Sequence, residues 1–231
     1  GAGGPLPLLI PFGLAGAISL LTLTARVSAS PLLTRAFLAA AAALCLWAAA
    51  LAVRGGAPGR AVESRVRPQH WIQACCQLAV LAYWGWYWRP VYDMAVLFAA
   101  QLAFAYAFGM LLRWTRGETY GLGFGPVPII FSINLFLWFR DDWFWLQFLM
   151  IGVGFLGKEL IQWHRDGRRV HVFNPSAFAL GLFSLVLIAT GTTDLTWGRE
   201  IASTLTLAPH IYLYLFLVGL VVMHFFAITL I

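Results

Sequence analysis

The feature that most constrains this chain is a series of apolar runs separated only by short, arginine-bearing loops. Eight runs follow one another, at roughly 6–25, 36–53, 71–88, 91–112, 126–139, 143–162, 174–190 and 209–230. A helix crosses a hydrocarbon core of about 30 Å with roughly 20 apolar residues, and several runs reach that length. Hydrophobic residues fill 61% of the 231 positions and charged residues only 10%, against about 25% charged in a soluble domain. In lipid every backbone amide must find its partner within the protein, which leaves helices or a closed barrel. The alternating pattern of barrel strands is not seen in this sequence. The expectation is an all-α, polytopic membrane helix bundle of about eight transmembrane segments, one domain over residues 1–231. The chain opens on GAGGPLP and closes on FFAITLI inside an apolar run, so a longer protein is expected around it.

The net charge of +6 is not read as a nucleic-acid signal, because the arginines sit in short loops where topology accounts for them. With the N-terminus on the cytoplasmic side, the inner loops hold Arg54, Arg60, Arg65, Arg67, Arg113, Arg116, Lys158, Arg165, Arg168 and Arg169. The outer loops hold Arg26, Arg35, Arg89, Arg140 and Arg199, so the bias is ten to five. That predicts an inside N-terminus. Tryptophans and tyrosines gather at segment ends as an aromatic belt: Trp84, Trp86, Tyr87 and Trp88, then Trp138, Trp143 and Trp145, then Trp197. Cys45, Cys75 and Cys76 lie in apolar runs with no CxxC spacing, which points to neither a disulfide framework nor a cysteine-held metal.

Two segments are short. Residues 125–139 and 174–190 each begin with the same punctuation, Phe124-Gly125-Pro126 and Phe173-Asn174-Pro175. Proline suits the first helical position, since its missing N–H would have had no partner there. Asn174 is a natural N-cap. Short, Gly- or Pro-interrupted segments point to a binding site between helices, and the two segments read as candidate half-repeats.

Few residues in the apolar runs can carry chemistry. His210 and His224 are 14 apart, close to four turns, and would share one helix side. A two-heme site needs a matching pair on a second helix, which His70, His164 and His171 do not supply, so heme is not expected. Asp93 lies beside Arg89, Glu159 beside Lys158, and Asp141-Asp142 follow Arg140, all near segment ends where ion pairs are the common explanation. Gln101 and Asn134 sit mid-segment and are expected to hydrogen-bond between helices. No nucleophile elbow, phosphate loop or HExxH motif occurs, so neither hydrolysis nor phosphoryl transfer is supported.

The stretch GKELIQWHRDGRRVHVFNPSAFALGLFSLVL resembles the signature region of the RnfD/NqrB family. Its members are membrane components of the Rnf electron-transport complex and of the sodium-pumping NADH:quinone reductase. Lys158, Glu159, Leu160, Gly167, Phe173, Asn174, Pro175, Ser176 and Ala177 match its pattern in order. The resemblance covers mainly 90–230, with GPVPIIFSINLFLWFRDDWFWLQFLMIGVGFLGKEL like the preceding helix pair. Within the family the chain looks closer to the stand-alone or enediyne-cluster branch than to the respiratory pump proteins.

The resemblance implies a flavin-linked electron-transfer subunit in the bacterial cytoplasmic membrane, working with other membrane subunits and coupled in some members to ion movement. It implies FMN or riboflavin as cofactor. Family members attach FMN to a threonine in an S-G-A-T type motif. Thr190-Gly191-Thr192-Thr193 stands at the corresponding place, with Thr193 as acceptor by pattern and Thr190 and Thr192 replacing Ser and Ala. Around Phe173, Asn174, Pro175 and Ser176, a helix start offering free N–H donors would suit an anionic ligand, with Lys158, Arg168, Arg169 and His171 adding positive field. The arginines also read as an anchor to anionic lipid. Two other readings stay open: a channel or transporter for a small polar solute, and a structural subunit of a larger membrane complex.

Overall fold

The computed structural model describes residues 6–54, 61–165 and 168–225, with backbone alone for Leu6, Arg165, 168–170 and Phe225. Arg60 of the loop charges and Gly167 of the family pattern lie outside the described residues. Each of the eight apolar runs coincides with one principal helix. They are α1 (Leu9–Leu21), α3 (Pro31–Val53), α4 (Pro68–Tyr87), α6 (Ala95–Thr115), α7 (Pro126–Asn134), α8 (Trp145–Leu160), α9 (Pro175–Ala189) and α11 (Ile211–Phe225). Three short helices fill connections: α2 (Ala25–Ser28), α5 (Pro90–Asp93) and α10 (Gly198–Thr204). The chain is therefore an all-α bundle.

Among the described residues, α3 and α6 are the helices long and apolar enough to cross a membrane singly. The pair Gly198–Leu207 and Ile211–His224, bent by 100°, would make a third span if taken as one. This is fewer than the eight spans expected from apolar runs: α4 has the length, 20 residues, but carries Gln69, His70, Gln73 and Gln77, and the helices of the other runs are 9 to 16 residues long.

Helix α6 is the hub, packing against α1, α3, α7 and α8. Small residues Ala100, Ala105, Ala107 and Gly109 are buried along it and let neighbouring backbones approach. Helix α3 starts where Ser30 Oγ accepts from Leu33 N at 3.2 Å and Pro31 takes the first helical position.

The largest departure concerns the run 126–139. Its helix stops after nine residues, at Asn134, about 13 Å long. After a turn at 135–136 the chain bonds elsewhere. Arg140 N donates to Leu195 O at 2.9 Å, Trp197 N donates to Trp138 O at 2.8 Å, and Phe139 bridges Thr196. A distant stretch of chain, residues 195–197, therefore takes over hydrogen bonds that helical periodicity assigned to the helix.

The connections fall into two groups. At one end Arg26 pairs with Asp141, Arg140 pairs with Glu200, and Trp88 meets Trp138 and Trp197. At the other lie two small sheets that hydropathy does not reveal. Strand β1 (Val62–Ser64) pairs in parallel with β2 (Tyr120–Leu122), and β3 (Gln162–Arg165) pairs antiparallel with β4 (Arg168–His171). Successive helices thus run from one end to the other and back.

Candidate functional site

At the start of α9, Asn174 Oδ1 accepts from Ser176 N at 3.0 Å, from Ala177 N at 3.4 Å and from Ser176 Oγ at 2.7 Å. Pro175 has no N–H, and Phe178 N already donates to Asn174 O at 2.9 Å. Every first-turn amide is accounted for. The expectation of free donors at FNPSA is corrected: the N-cap that makes the helix start well also closes it as an anion site. The start of α7 is closed in another way. Pro126 and Pro128 lack N–H groups, and Val127 N donates to Phe124 O at 3.1 Å.

The α9 start is wedged against α8. Added Cβ atoms at Gly154 and Gly157 would lie 3.0 Å from Pro175 O and 2.7 Å from the Phe178 ring, so both glycines permit the close approach. Pro175 and Ser176 are buried, while Phe173 is exposed and stacks on Phe178 with ring centroids 5.5 Å apart.

Lys158, in the last turn of α8, lies over the Phe155 ring at 5.6 Å. Among the described residues no carboxylate lies at ion-pair distance from it. Its neighbour Glu159 is taken by the other side: Arg113 Nη2 reaches Glu159 Oε2 at 2.9 Å, Arg116 Nη1 donates to Glu159 O at 2.7 Å, and Glu118 bridges both arginines. The ion pair expected for Glu159 exists, but with α6 and its following turn. Arg67, Lys158, His70 and His171 form a basic neighbourhood, in which His70 sits over the α7 start, 3.6 Å from a Cβ placed on Gly125. Partial burial, then the Lys158 ammonium, pushes the His171 imidazole below its usual value. Arg168 and Arg169 stand on β4 opposite Arg165 and His164.

Thr193 is elsewhere. It begins a 3₁₀ turn (Thr193–Leu195) beyond the far end of α9, a helix of 15 residues, about 22 Å from the Asn174 end. Its carbonyl accepts from Thr196 Oγ1 at 2.8 Å, the hydrogen bonding of an ordinary capping turn. The expected site residues therefore fall into two groups at opposite ends of one helix. The helix-start donors that would receive a flavin phosphate are used within α9, and Thr193 lies beyond its other end, so these residues do not together form a flavin site. Two open depressions, about 300 Å³ beside Tyr83, His210 and Tyr214 and about 280 Å³ lined by α3, α6 and α8, touch neither group.

Other expectations are redrawn. Arg89 lies over Trp86 and Tyr92 rather than beside Asp93, and Asp141 pairs with Arg26 in a two-pronged contact with both distances 2.7 Å. His210 precedes α11 with φ 57°, so it does not share a helix face with His224.

Mid-bundle polar groups behave as expected, and extend further. Asn134 Nδ2 donates to Gln101 Oε1 at 2.7 Å, and Gln147 Nε2 donates to the same oxygen at 3.2 Å. Gln147 Oε1 accepts from Phe139 N at 3.1 Å, and Trp138 Nε1 donates to Asn134 O. The three amides satisfy the backbone where α7 stops inside the bundle. Gln147 was legible by the rule that singled out Gln101 and Asn134, a polar residue inside an apolar run. Between α4 and α7, Gln77 Nε2 donates to Ser132 Oγ at 2.7 Å, while buried Gln77 Oε1 and Trp84 Nε1 have no protein partner among the described residues.

Comparison with protein-family models, with curated proteins and with solved structures finds no match to this chain.

Proposed function

We propose that the chain is a multi-pass subunit of the bacterial cytoplasmic membrane, working in a flavin-linked electron-transfer assembly with other membrane subunits. The single observation that carries the membrane reading is the sorting of connections: those rich in arginine meet at one end of the bundle, and those rich in tryptophan meet at the other. With shorter helices completed by unwound ends and caps, this arrangement supports eight crossings and a cytoplasmic N-terminus. The redox reading rests on the residue pattern 158–177. The chemistry would belong to the isoalloxazine, with protein groups positioning it.

A second reading, passage of a small polar solute, is favoured by one observation. A half-length helix ends inside the bundle beside the unpartnered Gln77 Oε1 and Trp84 Nε1.

The test is the cofactor content of the chain purified with its assembly from membranes, read by flavin absorbance before and after denaturation. Flavin released in stoichiometric amount supports the first reading. A colourless preparation that moves solute into liposomes replaces it with the second.

A further inference from the structure

Helix α4 carries a polar stripe on the face it turns to α7. His70, Gln73, Gln77 and Trp84 recur at spacings of three, four and seven residues, so they share one side of the helix. Contacts with α7 fix where that side points. His70 lies at the α7 start, 3.6 Å from a Cβ placed on Gly125. Gln77 bonds Ser132 near the α7 end, and the Trp84 ring meets Trp138 beyond it at 5.6 Å. The two helices therefore run side by side in the same direction. His70, Gln73 and Ser132 are half-buried, so the stripe lines a crevice leading from the arginine-rich end of the bundle. It reaches Gln77, about 14 Å along α4 from Pro68.

At its inner end this crevice meets polar groups that the packed chain does not satisfy. Gln77 is 8% exposed and Trp84 0%. Gln77 Nε2 donates to Ser132 Oγ at 2.7 Å, which leaves Gln77 Oε1 to accept and the Ser132 hydroxyl proton to give. Turning the amide over exchanges the two roles and still leaves one donor and one acceptor. About 10 Å further along α4, the Trp84 Nε1–H has no acceptor among the described residues. The rings of Trp88 and Trp138 lie at 30° and 37° to its own, so their faces do not receive an in-plane N–H. The other two buried atoms in this condition, on Glu159 and Glu200, belong to carboxylates already paired with arginine. A buried polar group left bare is costly, and water is the usual remedy. Neither α4 nor α7 contains Asp, Glu, Lys or Arg, so a neutral molecule suits this depth and an ion does not.

We propose that the α4–α7 seam binds water, at the Gln77–Ser132 pair and at Trp84 Nε1, and forms a hydrated inlet from the arginine-rich end to the middle of the bundle. Water fits because one molecule both donates to Gln77 Oε1 and accepts from Ser132 Oγ. A second accepts from Trp84 Nε1. Half-buried Ser132 gives the approach, and rotation of the Gln77 amide admits the molecule. The inlet deepens the passage reading above and rests on it for its purpose, whereas the site itself rests on burial and hydrogen bonding.

The purified chain in mild detergent is exposed to brief X-ray pulses. Hydroxyl radicals then form from bound as well as bulk water and oxidise the side chains beside it, and mass spectrometry of the peptides reads the rates. Trp114, 1% exposed and with its Nε1 donating to Ala61 O, is the dry control. The expected result is that Trp84 oxidises several-fold faster than Trp114, and slows to the Trp114 rate in Q77L/S132A, whose apolar seam excludes water. If the double variant fails to fold, S132A alone serves and should slow Trp84 in part. Equally slow oxidation of Trp84 and Trp114 in the wild type overturns the inference, as does a Trp84 rate unchanged in the folded variant. Uptake of urea into proteoliposomes is scored separately. Fast Trp84 oxidation without uptake ends the passage reading and keeps this inference, whereas uptake with a slow Trp84 ends this inference alone.

Discussion

Asn134 and Gln101 hydrogen-bond each other in both directions, Asn134 Nδ2 to Gln101 Oε1 at 2.7 Å and Gln101 Nε2 to Asn134 Oδ1 at 3.2 Å. Both are fully buried. Gln101 Oε1 also accepts from Gln147, so one side chain on α6 ties together the end of α7 and the start of α8. Gln101→Leu leaves two buried amides short of a partner and should destabilise the chain by about 1–3 kcal/mol. Adding Asn134→Leu to Gln101→Leu should cost much less than the two single losses summed, because the groups are removed together. Detergent-solubilised melting curves of the four-member cycle decide this. Additive losses would refute the coupling.

Asn174 is a helix cap, with its amide oxygen receiving both first-turn amides of α9. Asn174→Ala should cost about 1 kcal/mol, and Asn174→Asp should retain most of the stability, since it keeps the accepting oxygen. The same melts report it. An Ala variant as stable as wild type, but with lost cofactor, would show instead that the residue serves a ligand.

Gly123 follows β2 where that strand meets Arg65. A Cβ placed there would overlap Arg65 O, a backbone atom that cannot swing aside. The neighbouring bond from Arg65 N to Leu122 O, at 2.7 Å, would have to lengthen. Gly123→Ala should destabilise by about 1–3 kcal/mol. Hydrogen exchange on Arg65 N should speed up in step, and unchanged protection there would count against the clash.

His171 carries a depressed pKa because of partial burial and the nearby Lys158, which the adjacent Glu159 only partly offsets. An imidazole whose folded pKa lies below its unfolded value binds protons more weakly in the folded state. Stability therefore falls as pH drops through the ordinary imidazole range toward the depressed folded value. In uncharged detergent, His171→Gln should flatten that part of the stability–pH curve. A slope identical to wild type would remove His171 as its source.

Local patterns were legible from residues alone. The apolar runs located all eight principal helices, because hydrophobic patterning and N-caps act over a few positions. Ser30-Pro31 and Asn174-Pro175 open helices where capping chemistry places them. Gln101 and Asn134 were each legible as an interhelical hydrogen-bonding group, since an amide inside an apolar run has few other ways to be satisfied, but that they bond each other shows only in the packed helices. The candidate site was legible only as separate residues. Asn174 was legible as an N-cap, but that its one oxygen takes both first-turn amides and leaves none for an anion shows only in the folded helix start.

What the sequence determined, then, is that this chain buries its backbone in helices and gathers its positive charge in alternate loops, because both follow from short-range hydrophobicity and charge. Only the tertiary structure decided where α7 stops, which carboxylate each arginine takes, and that Thr193 and Asn174 lie at opposite ends of α9. Those outcomes depend on contacts such as Arg26 with Asp141, 115 positions apart, and Trp138 with Trp197. Such contacts form only after the helices have packed, and their geometry is set by that packing.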